Sequence, residues 1–133
     1  MNVLIVDDSK PMRMWMKKIL NPFSFTLFEA HDAASAQELL ANQLDTKERI
    51  GLMLLDWEMP GMSGLDLLKL LRADERYENL KIMMVTSRND KSHVEMALTE
   101  GADDYLMKPI QSEMVSQKLQ IIGLMDGTHG GGI

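Results

Sequence analysis

Cysteine is absent from the 133-residue sequence, and neither a long apolar run nor a signal-peptide pattern is found in it. Without cysteine the chain cannot form disulfides, use a thiolate nucleophile or bind a metal through sulfur. No apolar run approaches the roughly 20 residues of a membrane-spanning helix. The first apolar run, Val3 to Val6, stops at two aspartates and lacks the basic start of a signal peptide. These absences predict a soluble cytoplasmic protein without membrane insertion.

Positive charge is in the minority, with 14 Lys and Arg against 20 Asp and Glu and a formal net charge of -6. Such a chain lacks a general electrostatic attraction for nucleic acid, so we expect no direct nucleic-acid partner. The 45% of hydrophobic and 26% of charged residues are an ordinary globular balance, and the length suits one domain. We predict a domain over residues 1–125 and a flexible glycine-rich tail over residues 126–133.

Short apolar runs alternate with helical patterns five times along the chain. Several of the runs are continuous, which is typical of strands buried on both faces of a parallel sheet. The runs are Val3 to Val6, Phe25 to Phe28, Leu52 to Leu55, Ile82 to Val85 and Tyr105 to Met107. The helical patterns follow Ser9, Asp32 and Ser63 as N-caps and then begin near Lys91 and Ser112. This alternation predicts an α/β fold with an open parallel sheet and helices on both faces.

Three details of the helices are predicted as well. Trp15 is expected in the core, on the inner side of the first helix. The fourth helix is expected from about Lys91 to Glu100, because Gly101 is a natural stop. The fifth is expected from about Ser112 to Met125.

Polar side chains gather at the predicted carboxyl ends of four strands. Asp7 and Asp8 follow the first strand, Asp56 ends the third, Thr86 ends the fourth and Lys108 follows the fifth. Ligands of open parallel sheets bind beyond this edge. Neighbouring carboxylates repel one another, and a hard cation such as Mg²⁺ relieves that repulsion. One carboxylate could act as a nucleophile toward a phosphoryl group whose oxygens are held by Lys108 and Thr86.

Four motifs, in order and each at a strand end, resemble the response-regulator receiver family over residues 2 to about 125. They are Asp7-Asp8, Asp56-x-x-Met59-Pro60-x-Met62-x-Gly64, Thr86-Ser87 and Lys108-Pro109. The segment from Asp8 to Arg13 and the tryptophan at position 57 resemble the chemotaxis-type, single-domain branch, whereas Ile110 stands where an aromatic residue is common. The resemblance implies a flavodoxin-like, doubly wound (βα)5 fold with strand order 2-1-3-4-5.

The resemblance also implies a role for each residue of the acidic site. Asp56 is the implied phosphoacceptor and one of the implied Mg²⁺ ligands. Asp8 and the backbone carbonyl of Glu58 bind the same ion directly, and Asp7 binds it through water. Lys108 contacts the phosphoryl group, and its bond to the following proline is cis. The implied donor is a phosphohistidine on a sensor histidine kinase or phosphotransfer protein.

Two further residues are implied to transmit the phosphorylation. Thr86 swings to bond a phosphoryl oxygen, and Tyr105 rotates inward into the space that Thr86 leaves. An output protein then reads the surface made by the fourth helix, the fifth strand and the fifth helix. The chain is thus expected to be a signalling switch that catalyses only its own phosphorylation and dephosphorylation.

Other functions remain open for such a chain. It could be a phosphorelay shuttle, or a receiver fragment of a larger regulator. A metal-dependent phosphatase with an aspartyl intermediate commonly has an aspartate where Glu58 stands. A flavodoxin-like electron carrier needs a Ser/Thr/Gly phosphate cradle, which the first loop lacks. Taken singly, Asp7 and Asp8 could be turn residues and Lys108 a surface lysine.

Two side chains are predicted at the mouth of the site, and three others are predicted outside it. Glu58 and Arg88 each lie two residues beyond a site residue, so they could pair and gate the access of water to the acyl phosphate. The alternative is an exposed ion pair that contributes little to stability.

His31, His93 and His129 belong to none of the strand-end motifs, and surface or loop positions are expected for them.

Overall fold

The computed structural model of the protein describes residues 1–123, in which strands and helices alternate five times. The strands are β1 (Asn2–Val6), β2 (Thr26–Ala30), β3 (Ile50–Asp56), β4 (Lys81–Thr86) and β5 (Asp104–Met107). The helices are α1 (Lys10–Leu20), α2 (Ala33–Gln43), α3 (Gly64–Arg72), α4 (Lys91–Thr99) and α5 (Ser112–Ile121). Short 3-10 turns, Asn21–Phe23 and Glu75–Tyr77, follow α1 and α3. The predicted tail at 126–133 lies outside the described residues.

The five strands form one parallel sheet in the order β2-β1-β3-β4-β5. This order confirms the predicted flavodoxin-like (βα)5 fold. The strands differ from the apolar runs at their ends: β3 begins at Ile50, and β2 continues to Ala30. Backbone pairing with β1 extends β2 in this way, because the ladder requires only the N–H and C=O groups and no apolar side chain.

Helices cover both faces of the sheet and bury alternate residues of each strand. In β3, Leu52 and Leu54 pack in the core beneath α1 and α5, whereas Met53 and Leu55 pack beneath α2, α3 and α4. All four side chains are fully buried. Each contributes about 1.5–3 kcal/mol of transfer free energy by leaving water. The two-sided burial explains why the strand is a continuous apolar run.

Side-chain caps begin the helices at the predicted positions. Ser9, Asp32 and Ser63 accept hydrogen bonds from backbone N–H groups in the first turns of α1, α2 and α3. Asp90 caps α4 in the same way, and Gly101, with φ of 110°, follows the end of that helix. The positive φ requires glycine at this stop, as the sequence predicts.

Two predictions about the helices are wrong. Trp15 is 41% exposed rather than part of the core. Its indole N–H donates a hydrogen bond to the backbone carbonyl of Ile110 at 3.0 Å, so the ring lies on the flank of α1 where this polar group has a partner. The fifth helix ends at Ile121 instead of Met125, and Gly123 follows with φ of 82°. No helix within residues 1–123 is long and apolar enough to cross a membrane.

Candidate functional site

The strand register brings the predicted site residues to one edge of the sheet. Asp56 pairs with the residue before Thr86 in β4, and Thr86 pairs with the residue before Lys108 in β5. Asp7 follows β1 directly, and its N–H continues the ladder to the carbonyl of Ala30 at 3.1 Å. The Lys108-Pro109 peptide bond is cis, as predicted. Four separated parts of the chain therefore meet at this edge.

Three carboxylates and one ammonium form the centre of the site. Oxygen atoms of Asp7, Asp8 and Asp56 all lie within 4.8 Å of one another. Lys108 Nζ lies 2.8 Å from Asp56 Oδ1 and 3.8 Å from Asp7 Oδ2. Asp7 and Asp56 are only 1% and 3% exposed, whereas Asp8 is open to solvent. The negative charge of the cluster thus exceeds what the single lysine neutralises.

Burial sets the electrostatics of the two inner carboxylates. It raises the pKa of Asp56, although the hydrogen bond from Lys108 works in the opposite direction. It also raises the pKa of Asp7, against the hydrogen bond that Asp7 Oδ1 accepts from the Ser9 N–H at 2.9 Å. The charge of each carboxylate is therefore unfavourable in this environment until further positive charge arrives.

One oxygen of the cluster lacks a hydrogen-bond partner. Asp7 Oδ2 is buried and receives no hydrogen bond from any residue in the described part of the chain. Such an unsatisfied acceptor costs on the order of 1–3 kcal/mol. A hard divalent cation takes carboxylate oxygens as ligands, so Asp7, Asp8 and Asp56 suit Mg²⁺.

The turn after Asp56 depends on a close approach of α3. Gly64, the first residue of α3, donates its N–H to the carbonyl of Trp57 at 2.8 Å. A Cβ at this position would overlap the backbone carbonyl oxygen of Asp56. The glycine of the motif is therefore a steric requirement for the backbone that presents Asp56.

Thr86 has a buried neighbour that the sequence did not predict. Thr86 Oγ1 accepts the backbone N–H of Arg88 at 3.1 Å and lies 3.2 Å from His93 Nε2. The His93 ring also stacks on Trp57, with ring centroids 3.5 Å apart. The predicted surface or loop position of His93 is wrong, because this residue is 7% exposed. Its spacing of four residues from the buried Ala97 was the available signal, since both lie on the inner face of α4.

Of the two other histidines, one lies within the described residues. The side chain of His31 is 69% exposed, which confirms its predicted surface position. His129 lies outside the described residues.

Tyr105 occupies the predicted surface between α4 and α5. Its ring is partly buried, and Lys118 Nζ lies 4.2 Å from the ring centroid. The same ammonium lies 2.8 Å from Asp104 Oδ1. The switching role of Tyr105 stays a prediction.

Glu58 and Arg88 are both exposed, but the pair expected between them is absent from the ion pairs found in residues 1–123. Arg88 Nε instead lies 3.1 Å from Asp90 Oδ1. Asp90 is only two residues away and caps α4, so it is the nearer partner for the guanidinium. The role of Glu58 and Arg88 as a gate stays a prediction.

Comparison with known proteins agrees with this geometry. The family model of the response regulator receiver domain matches residues 3–120. The chain is 37% identical over 123 residues to the chemotaxis protein CheY1 of Helicobacter pylori, covering 92% of this chain and 96% of that protein. It is 35% identical over 123 residues to the chemotaxis protein CheY of Pseudomonas aeruginosa, covering 92% of this chain and 95% of the relative.

Solved structures give the same result for the fold. The chemotaxis protein CheY4 of Vibrio cholerae superposes with a TM-score of 0.80 at 26% identity, covering 91% of this chain and 97% of the other. A two-component response regulator with a GGDEF domain superposes with a TM-score of 0.79 at 28% identity, covering 92% of this chain and 50% of the other. The chain belongs to the response regulator receiver domain family and is a CheY-like receiver.

Proposed function

We propose that this receiver accepts a phosphoryl group on Asp56 from a phosphohistidine of a sensor histidine kinase or phosphotransfer protein. One observation carries the proposal: the buried Asp56 carboxylate lies 2.8 Å from Lys108, with Asp7 and Asp8 oxygens within 4.8 Å. This arrangement combines a nucleophile, a phosphoryl-binding ammonium and oxygen ligands for a metal.

The transfer forms one bond and breaks one. An oxygen of the Asp56 carboxylate forms a bond to phosphorus, while the bond from phosphorus to the donor imidazole nitrogen breaks. The electron pair leaves with the imidazole, and the product is an acyl phosphate. Lys108 and the hydroxyl of Thr86 donate hydrogen bonds to the phosphoryl oxygens. Asp7, Asp8, Asp56 and the backbone carbonyl of Glu58 would hold Mg²⁺, which would neutralise part of the phosphoryl charge.

Hydrolysis returns the switch to its resting state. Water attacks the phosphorus of the acyl phosphate, inorganic phosphate leaves, and the Asp56 carboxylate is restored. The receiver thus catalyses its own phosphorylation and dephosphorylation. Glu58 and Arg88, both exposed beside the site, control the access of that water in this proposal.

The output of the switch is the surface formed by α4, β5 and α5. Drawing Thr86 toward the phosphoryl group changes the space available to Tyr105, and an output protein binds the altered surface. Met96 and Leu98 of α4 and Ile121 of α5 are 47%, 44% and 70% exposed, which supports an apolar contact there. Partner binding and phosphorylation favour the same state, because their coupling is reciprocal. The chemotaxis names of the relatives support a cytoplasmic, chemotaxis-type pathway.

Labelling with a small phosphodonor tests the acceptor directly. The full chain is incubated with acetyl phosphate and Mg²⁺, and the acid-labile phosphate is mapped by mass spectrometry. We expect label on Asp56 in the wild type, none in Asp56→Asn, and full label in Asp66→Asn, which removes an exposed carboxylate of α3. Label that persists in Asp56→Asn, or a wild type that takes up none, would refute the proposal.

A further inference from the structure

His93 is a buried polar residue for which the proposed function has no role. It lies in the first turn of α4, yet its Nε2 atom reaches Thr86 Oγ1 at 3.2 Å. Its ring stacks on Trp57, the residue that follows Asp56, with an interplanar angle of 23°. Its backbone N–H is bonded to the Asp90 side chain at 3.2 Å. A single side chain of α4 thus contacts the ends of both β3 and β4 beside the acceptor.

The hydrogen-bonding capacity of Thr86 limits what this contact can be. A threonine hydroxyl has one proton to donate and two lone pairs to accept with. The backbone N–H of Arg88 already occupies one lone pair, at 3.1 Å. If the Thr86 hydroxyl donates its proton in a hydrogen bond to His93 Nε2, that nitrogen is the acceptor and the neutral imidazole carries its own proton on Nδ1. The hydroxyl then has no second proton for a phosphoryl oxygen.

We propose that His93 is a positioning residue that holds the Thr86 hydroxyl while Asp56 is unphosphorylated. The inference rests on the proposed function, because Thr86 must leave His93 to donate its proton to the phosphoryl group. The released imidazole loses its hydrogen bond to β4 and keeps only its contact with Trp57. Phosphorylation is thereby transmitted to the first turn of α4 as well as to Tyr105.

The competition predicts a measurable bias toward the resting state. A net hydrogen bond between neutral groups changes an equilibrium by about two- to tenfold. Removing the His93 acceptor is therefore expected to favour the state in which Thr86 faces the phosphoryl group by about this factor. The effect should depend on an acceptor at the Nε2 position and not on the aromatic ring.

Two variants separate the acceptor from the ring. His93→Phe keeps a ring that can stack on Trp57 but removes the nitrogen, and His93→Gln places an amide oxygen within reach of Thr86. Beryllofluoride, a phosphoryl mimic, is titrated with Mg²⁺ and followed by Trp57 fluorescence. We expect His93→Phe to bind it about two- to tenfold more tightly than wild type, and His93→Gln to return toward wild type. His31→Phe, the same change at an exposed position, is the control and should bind as wild type.

A second measurement needs neither Mg²⁺ nor phosphorylation. Nitrogen-15 NMR of the metal-free protein reports which imidazole nitrogen of His93 carries the proton. We expect the Nδ1-protonated tautomer, and a change in the Nε2 chemical shift in Thr86→Val, which keeps the shape of threonine but removes the hydroxyl. Beryllofluoride with Mg²⁺ should move the Nε2 shift in the same direction. This measurement decides the question even if His93→Phe fails to fold.

The outcomes distinguish this inference from the proposed function. An Nε2-protonated His93 in the metal-free protein, or equal beryllofluoride affinities for wild type, His93→Phe and His93→Gln, would overturn the positioning role while labelling of Asp56 stands. Absence of label on Asp56 would instead overturn the proposed function. An Nδ1-protonated His93 that responds to Thr86→Val would still support the contact in that case.

Discussion

Replacing Asp7 with asparagine should make the metal-free protein more stable, although Asp7 is one of the predicted metal ligands. The carboxylate is 1% exposed, and its Oδ2 atom has no hydrogen-bond partner within residues 1–123. Asparagine removes the charge but keeps an oxygen that can accept the Ser9 N–H, which now bonds Asp7 Oδ1 at 2.9 Å. The substitution therefore removes an unfavourable buried charge and retains the hydrogen bond of the turn.

The magnitude follows from the charges around Asp7. The Asp56 oxygen, within 4.8 Å, repels Asp7 by about 3.5 kcal/mol at an effective dielectric constant of about 20. Lys108, 3.8 Å away, attracts it by about 4.4 kcal/mol on the same scale. Asp8 and Arg13 also act on Asp7 in opposite directions, so the charge interactions largely cancel. Desolvation of the buried carboxylate, the largest cause of its raised pKa, remains, on the order of 1–3 kcal/mol for the unpaired oxygen. We expect Asp7→Asn to raise the free energy of unfolding by this amount at pH 7.

The pH dependence has a definite sign. Burial raises the pKa of Asp7 in the folded protein above its ordinary value of 3.8, so the folded state binds this proton more tightly than the unfolded chain does. The penalty is absent below pH 3.8, grows as the pH rises from 3.8 through the raised folded pKa, and is complete above it. The stability difference between Asp7→Asn and wild type should therefore be small below pH 3.8 and should grow as the pH rises above it.

Urea denaturation in EDTA and in excess Mg²⁺ provides the assay. Free Mg²⁺ at 100 times its dissociation constant would stabilise the wild type by about 2.7 kcal/mol, and the variant by less. Mg²⁺ should therefore narrow or reverse the difference in unfolding free energy. The exposed Asp66→Asn serves as the control and should stay within about 0.5 kcal/mol of wild type. An Asp7→Asn protein that is less stable than wild type in EDTA at pH 7 would refute the reasoning.

Three other predictions concern the turn after Asp56, a hydrogen-bonded arginine elsewhere in the fold and the mouth of the site. Gly64→Ala should destabilise the protein by about 1–3 kcal/mol and slow labelling of Asp56, because the new Cβ overlaps the carbonyl of Asp56; urea melts and the acetyl phosphate assay measure both effects. Arg72→Ala should cost about 2–3 kcal/mol in urea melts, since its guanidinium makes three partly buried hydrogen bonds to neighbouring segments. Glu58→Ala combined with Arg88→Ala should shorten the lifetime of the phosphorylated form, and an unchanged lifetime would contradict a gate.

The strand-end residues of the site were predictable because they depend on chain order and periodicity. A parallel sheet brings the carboxyl ends of its strands to one edge, so Asp7, Asp56, Thr86 and Lys108 had to lie near one another once the strands were recognised. Ser63 as a helix cap and Gly101 as a helix stop follow equally local rules.

Contacts between distant side chains were less predictable, because each depends on how a helix rotates and packs. Trp15 fits the apolar pattern of α1, but the residue is 41% exposed and its indole N–H donates to the carbonyl of Ile110 in the loop before α5. Arg88 has charged neighbours on two sides, and the structure pairs it with Asp90. Local spacing does not rank such alternatives.

The sequence by itself determined the parallel α/β fold and the acidic cluster at its edge. These follow from two-sided burial of short strands and from polar residues at the strand ends. Only the tertiary structure decided that His93 lies against Thr86 and Trp57. The four-residue spacing of His93 and Ala97 indicates the inner face of α4, but it does not identify the partners of His93. Those partners depend on how α4 packs against the ends of two strands.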